Sequence, residues 1–133
     1  SYSVYKHRHM AEIDQELKIS NYSFNPHIIP TYRGIISSIY IDVKQNNIAG
    51  RFFKILKNFY KKKYFVQIKG LNKNLGTNDV LNTNKCQITV NKSRNSKKIV
   101  IFSVIDNLIK GAAGQAIQNM NLLFNLKENK GLR

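Results

Sequence analysis

Hydrophobic positions recur along this chain with two periods, and the switches between them divide it into elements. Met10, Ile13 and Leu17 fall at helical spacing with Glu12, Asp14 and Glu16 between them, which predicts a short amphipathic helix within residues 7–18. Residues 1–6 ahead of it read as extended. Pro26 and Pro30 exclude regular helix from the next stretch, so "NPHIIPTYRG" is a shaped loop ending at Gly34. From 35 to 43 the odd positions read Ile, Ser, Ile, Ile, Val, which predicts a strand with one buried face. Phe52, Ile55, Leu56 and Phe59 return to helical spacing, opposite Lys54, Lys57 and Asn58. "YFVQIKG" predicts a strand closed by Gly70, and "CQITV" alternates Cys86, Ile88 and Val90 with polar neighbours. The polar "KSRNSKK" then leads to the apolar strand "IVIFSVI", and two strands joined by so short a loop predict an antiparallel hairpin. Ala113, Ala116, Ile117, Met120 and Phe124 keep the spacing of a buried helix face, and 125–133 reads as a frayed polar tail. The order strand, helix, three strands, helix implies an α+β fold with a mostly antiparallel sheet.

Composition narrows the class. The chain has 133 residues, the size of one ordinary domain, and no internal repeat. No run of about eighteen apolar residues occurs, and the first residues lack the order of a signal peptide, so a soluble protein is expected. One cysteine, Cys86, excludes an internal disulfide framework and a cysteine-rich zinc site, and fits a reducing, cytoplasmic setting. The formal net charge of +15 raises nucleic acid or an anionic membrane as partners. Asparagine and isoleucine are as abundant as lysine, however, and these are residues that AT-rich codons supply. The charge then reflects coding composition rather than a polyanion partner. The chain starts at Ser1 without a methionine, and the expectation is a part of a longer protein.

Candidate chemistry sits at a few places. His7 and His9 flank Arg8, with Glu12 one turn further on, where it could orient an imidazole. Zinc is not expected, because His27 is the only other histidine. Arg33, directly before Gly34, offers a planar fork suited to a carboxylate or phosphate, against the simpler reading of a solvated loop arginine. Cys86 reads as a small buried hydrophobe rather than a nucleophile, since nothing basic is placed to activate it. Residues 51–64 are basic with interleaved aromatics, which keeps a nucleic-acid-binding helix as the alternative to a solvated face. Gly111, Ala112, Ala113 and Gly114 form no phosphate-loop fingerprint, but they let a flat group or a neighbouring element approach the backbone.

Three segments, "HRHMAEI", "PHIIPTYRGI" and "DNLIKGAAGQAIQNMNLLF", in this order and spacing, resemble the C-terminal part of the N-acetyl-gamma-glutamyl-phosphate reductases of arginine biosynthesis. The resemblance covers nearly the whole chain. It implies that 1–133 is the C-terminal part of a glyceraldehyde-phosphate-dehydrogenase-like catalytic and dimerisation domain, incomplete at its N-terminus. The family's N-terminal Rossmann domain and its nucleophilic cysteine are then absent from this chain. The implied reaction reduces N-acetyl-5-glutamyl phosphate to N-acetylglutamate 5-semialdehyde with NADPH, releasing phosphate, through a thioester on that cysteine. By the same resemblance the acid/base is His9, with His7 as the alternative, and Arg8, Arg33 and His27 bind substrate. Asn107, Gly111 and Gln115 lie beside the cofactor, and Cys86 matches a different cysteine of the family, in a late strand. A homo-oligomer in the cytoplasm is implied, with no metal, no membrane and no specific nucleic acid. Two other readings stand beside this one: a small basic nucleic-acid-binding module, and a stand-alone scaffold or dimerisation domain.

Overall fold

The structure is a computed structural model that describes residues 1–19 and 21–133. It divides into two compact units, Ser1–Tyr32 and Arg33–Arg133.

Among its described residues the first unit holds one regular element, α1 (His9–Leu17), which ends where Lys18 turns left-handed and its N–H bonds the Asp14 carbonyl. Asp14 also accepts the Tyr22 hydroxyl at 2.7 Å. That bond to a carboxylate, with burial second, raises the Tyr22 pKa above its ordinary value. None of the residues of α1 is buried. Residues 1–6 are not extended as expected. Ser3 and Tyr5 have positive φ, and the Lys6 N–H bonds the Ser3 carbonyl at 3.0 Å, closing a turn. The reason is that Tyr2 is held at both ends: its N–H donates to the Pro26 carbonyl, and its hydroxyl meets His7.

The second unit is built on β1 (Ile35–Asp42), β2 (Val66–Leu71), β3 (Cys86–Lys92) and β4 (Lys98–Ile105), in the spatial order β1-β4-β3-β2. β4 pairs antiparallel with both β1 and β3, in register Ile35↔Ile105 and Cys86↔Ile105 at one end, and β2 runs parallel to β3. The expected hairpin is β3–β4, and the sheet is mostly antiparallel with one parallel edge. The architecture is α+β, with α2 (Ala49–Tyr60) laid on the sheet and α3 (Gly114–Leu123) following β4. Gly70 does not close β2; the strand runs on to Leu71 through an irregularity between Ile68 and Gly70.

Several faces read from periodicity are corrected. On α2 the inward stripe is Ala49, Phe52, Phe53 and Leu56, which packs with Val90, Ile99 and Ile101, while Ile55 and Phe59 are exposed. Strand β1 has no fully buried side chain: Ile35, Ile36, Ile39 and Tyr40 are all exposed on this edge strand, and only Ile41, near its end, packs against the core under α2. Helix α3 is inverted. Its buried residues are Gly114, Gln118 and Asn121, while Ile117, Met120 and Phe124 face out. The buried amides have partners in the tail, which is therefore not frayed. Asn121 Nδ2 donates to the carbonyls of Glu128 and Lys130, Gln118 Nε2 donates to Glu128, and the Asn84 N–H donates to the Arg133 carbonyl at 2.7 Å.

Gly34 enters β1 with φ +109°, and a Cβ there would stand 2.6 Å from the Thr77 Cβ. Gly34→Ala is therefore expected to destabilise the chain by at least about 1 kcal/mol. Gly50, in α2 with nothing within 4 Å of an added Cβ, gives the opposite sign: Gly50→Ala is expected to stabilise by about 0.5 kcal/mol. Urea unfolding of both variants checks the pair, and two shifts of the same sign would contradict this reading.

Candidate functional site

Strand β4 ends at Ile105, and the next side chain, Asp106, is fully buried. An isolated carboxylate at such a place would be strongly disfavoured, so its partners define the local structure. Its Oδ2 meets the Arg33 guanidinium at 2.7 Å and accepts the Asn82 N–H at 2.8 Å. Its Oδ1 accepts the N–H groups of Leu108 and Ile109 at 3.0 and 3.2 Å, in the manner of a helix cap. The Asp106 carbonyl accepts the Gly111 N–H at 3.2 Å, five residues on, so the chain leaves β4 in a wide turn over Ile109–Ala113 with a kink at Ala112 (φ −147°, ψ −106°). Arg33 also bonds the Asn82 side chain. Beside this pair the Gly34 N–H donates to Asn107 Oδ1 at 2.6 Å. Arg33-Gly34 is thus fastened to Asp106-Asn107 residue by residue.

The small residues of the turn have two separate causes. Gly114 is buried, and a Cβ on it would run into Asn84 Oδ1 and come within 2.6 Å of Ile109 Cγ2. That glycine is required by packing. Gly111, Ala112 and Ala113 are exposed, and a Cβ on Gly111 would meet nothing closer than Ile105 Cδ1 at 3.5 Å. Its smallness answers no steric demand of the fold. Gln115, also expected at this site, pairs with Asn119 one turn along α3 at 2.9 Å. Lys110 points the other way, with its ammonium on Gln118 Oε1 at 2.6 Å and 5.5 Å from the centre of the Phe65 ring. Burial lowers its pKa, and the Cys86 and Glu128 charges oppose that shift. Cys86 itself begins β3 with its Sγ 3.4 Å from Ser103 Oγ.

Four of the expected site residues lie in the first unit. His7 Nδ1 accepts the His9 N–H at 3.2 Å, which leaves Nε2 to carry the proton toward the Tyr2 hydroxyl. The His9 ring stands edge-on to that of His7 at 4.6 Å and makes no hydrogen bond among the described residues. His27 Nδ1 donates to the Asn25 carbonyl at 3.0 Å, leaving Nε2 as an acceptor, and Arg8 is exposed at the start of α1. Among the described residues, no group of three or more His, Cys, Asp or Glu could hold a metal, and no helix is long and apolar enough to cross a membrane. The sequence reading missed Asn82, Asn84, Gln118 and Glu128. Asp106 carried a usable signal, as an acidic residue just before a helix.

A family model described as semialdehyde dehydrogenase, dimerisation domain, matches residues 1–107. The chain belongs to that family. Proteins named N-acetyl-gamma-glutamyl-phosphate reductase are similar to it. That of Methanosarcina acetivorans is 43% identical over 136 residues, 98% of this chain and 40% of that protein. That of Vesicomyosocius okutanii is 44% identical, over 98% of this chain and 38% of that protein. That of Thermoanaerobacter sp. strain X514 is 38% identical, over 99% of this chain and 40% of that protein. This member of the semialdehyde dehydrogenase dimerisation family thus spans about 40% of the length of such relatives. The fold agrees: a solved aspartate semialdehyde dehydrogenase II from Vibrio cholerae, complexed with ASA, matches with TM-score 0.54 and 16% identity over 73% of this chain and 29% of that one. The alternative of a nucleic-acid-binding module is not supported, since each of these relatives bears the name of a reductase.

Removing one partner of a buried ion pair leaves the other charge uncompensated, so Asp106→Ala is expected to cost about 3–5 kcal/mol. Asp42→Ala, which breaks the exposed pair with Lys98, is expected to cost under about 1 kcal/mol. Equal losses in chemical denaturation would contradict the claim that burial sets the difference.

Proposed function

We propose that this chain is the C-terminal part of the catalytic and dimerisation domain of an NADPH-dependent N-acetyl-gamma-glutamyl-phosphate reductase, inactive on its own, whose whole enzyme acts as a homo-oligomer in the cytoplasm. The observation that carries the reading is identity of 38% to 44% with reductases of that name along almost the whole chain. The exposed small residues of the Ile109–Ala113 turn fit a flat ring laid on the backbone, and the exposed apolar side chains of β1 fit a surface that a second subunit covers. NADPH, when bound, supplies the hydride.

The acid/base role goes to His9 rather than His7, and the geometry of the pair is the support. His7 has Nδ1 committed to the His9 N–H and Nε2 committed to Tyr2, so a further proton on Nδ1 would break a bond. The His9 imidazole can take or give a proton without such a cost. It would accept the proton of an attacking thiol as that sulfur displaces phosphate from the acyl phosphate. It would give that proton to the oxyanion formed when hydride adds to the thioester, and take it back from the resulting hydroxyl as the carbon–sulfur bond breaks and the semialdehyde leaves. The thiol is assigned to a part of the protein outside residues 1–133, because Cys86 sits within the sheet beside Ser103. Arg8 and His27 Nε2 are the groups offered to the substrate's phosphate or carboxylate. Arg33 is given a supporting role, since Asp106 and Asn82 hold its guanidinium. Asn107, Gly111 and Gln115 are placed on the cofactor side.

In the whole enzyme, His9→Asn is expected to lower kcat by about 10²-fold or more, while Cys86→Ser leaves it within about threefold of the parent, a change under 1 kcal/mol. Loss of activity with Cys86→Ser alone would refute the assignment of the thiol. Gly111→Ala separates fold from function at the turn. The melting temperature should stay put while KM for NADPH rises about tenfold, and an unchanged KM would remove Gly111 from the cofactor site.

A further inference from the structure

Donor and acceptor chemistry fixes one part-buried polar chain without ambiguity. Lysine only donates and an ionised glutamate only accepts, so Gln118, which lies between Lys110 and Glu128, can satisfy both in one orientation. Its Oε1 takes the Lys110 ammonium at 2.6 Å, and its Nε2 donates to Glu128 Oε1 at 2.7 Å. That orientation sets the next amide as well: Asn84 Nδ2 donates to the same Gln118 Oε1 at 2.9 Å. Asn84 Oδ1 must then face Gly114, where it is buried with no hydrogen-bond partner among the described residues. Glu128 belongs to the tail, and Lys110 to the wide turn that carries Gly111–Ala113. The tail has further anchors of its own at Asn121.

We propose that Glu128, Gln118 and Lys110 form a positioning relay through which the C-terminal tail sets the shape of the small-residue turn, with Lys110 a positioning residue for whatever docks there. Its bearing on catalysis rests on the cofactor-side reading of that turn. The relay works by anchorage. Lys110 and Asn84 both donate to the Gln118 oxygen, and an acceptor at 128 ties the other end of the same amide to the tail; with no acceptor there, Gln118 and the Lys110 bonded to it are cut loose from the tail. The wide turn, kinked at Ala112 and held otherwise by Asp106, then loses its tie to the tail.

Amide hydrogen exchange on the chain tests this without cofactor. Glu128→Ala should speed exchange of the Gly111 to Gln115 amides about tenfold, with β3 and β4 amides unchanged. Glu128→Gln keeps an acceptor without the charge and should restore the parent pattern. Unchanged exchange in Glu128→Ala would overturn the proposal, as would equal acceleration across the sheet, or a Glu128→Gln variant that behaves like the alanine one. The cofactor-side reading is judged separately, by KM for NADPH of Glu128→Ala in the whole enzyme. A looser turn with an unchanged KM would sustain the relay and sink that reading.

Discussion

Asp106 is a carboxylate placed where water cannot reach it, at the end of a central strand, and the local structure answers that constraint. Arg33 neutralises it, Asn82 and two turn amides fill its remaining lone pairs, and its carbonyl starts the wide turn. A hydrophobic residue at this place would avoid the desolvation cost, but it could not fasten three separate segments at one point. Residues 33–34, 82 and 106–111 come from distant parts of the chain. Their register is set by hydrogen-bond geometry rather than by packing. The backbone next to the small residues is therefore held by directional contacts.

Around this point the molecule keeps an unusual division of polar and apolar surface. Gln118 and Asn121 are inside, while Ile117 and Met120 on the same helix, and Phe124 just past its end, are outside. The amides inside are matched by the tail, and by Lys110 on the turn. The apolar stripe outside has no counterpart in its own unit, nor do Ile35, Ile36 and Ile39 of β1. Single exposed apolar residues are ordinary, but runs of them on a helix and on a strand mark surfaces meant to be covered. Membership of a dimerisation-domain family is consistent with that.

Much of this could be read from the sequence, and the failures share a cause. Alternation and helical spacing located all four strands, α1, α2 and α3, and the β3–β4 hairpin, because these depend on local backbone periodicity. The same periodicity was a poor guide to burial. It assumes that an apolar face meets a layer within the same chain, which fails for β1, for Ile55 and Phe59, and for α3. The tail and the first six residues were misread for a second reason: their order comes from a few individual hydrogen bonds, at Asn84, Asn121 and Tyr2, that leave no periodic trace. At the candidate site the residue types were visible but their commitments were not. Arg33 read as a ligand for an anion, and its anion is Asp106. The row of small residues read as one feature, and it is two: Gly114 yields to packing, and Gly111 is exposed, with room for a Cβ at ordinary contact distance.

Arg33 and Asp106 act as one unit. A double-mutant cycle tests it most directly, with Arg33→Met, Asp106→Leu and the double variant compared by urea unfolding. The predicted coupling is at least about 2 kcal/mol, with the double variant less damaged than the sum of the single losses. Losses that add to within about 0.5 kcal/mol would contradict the account.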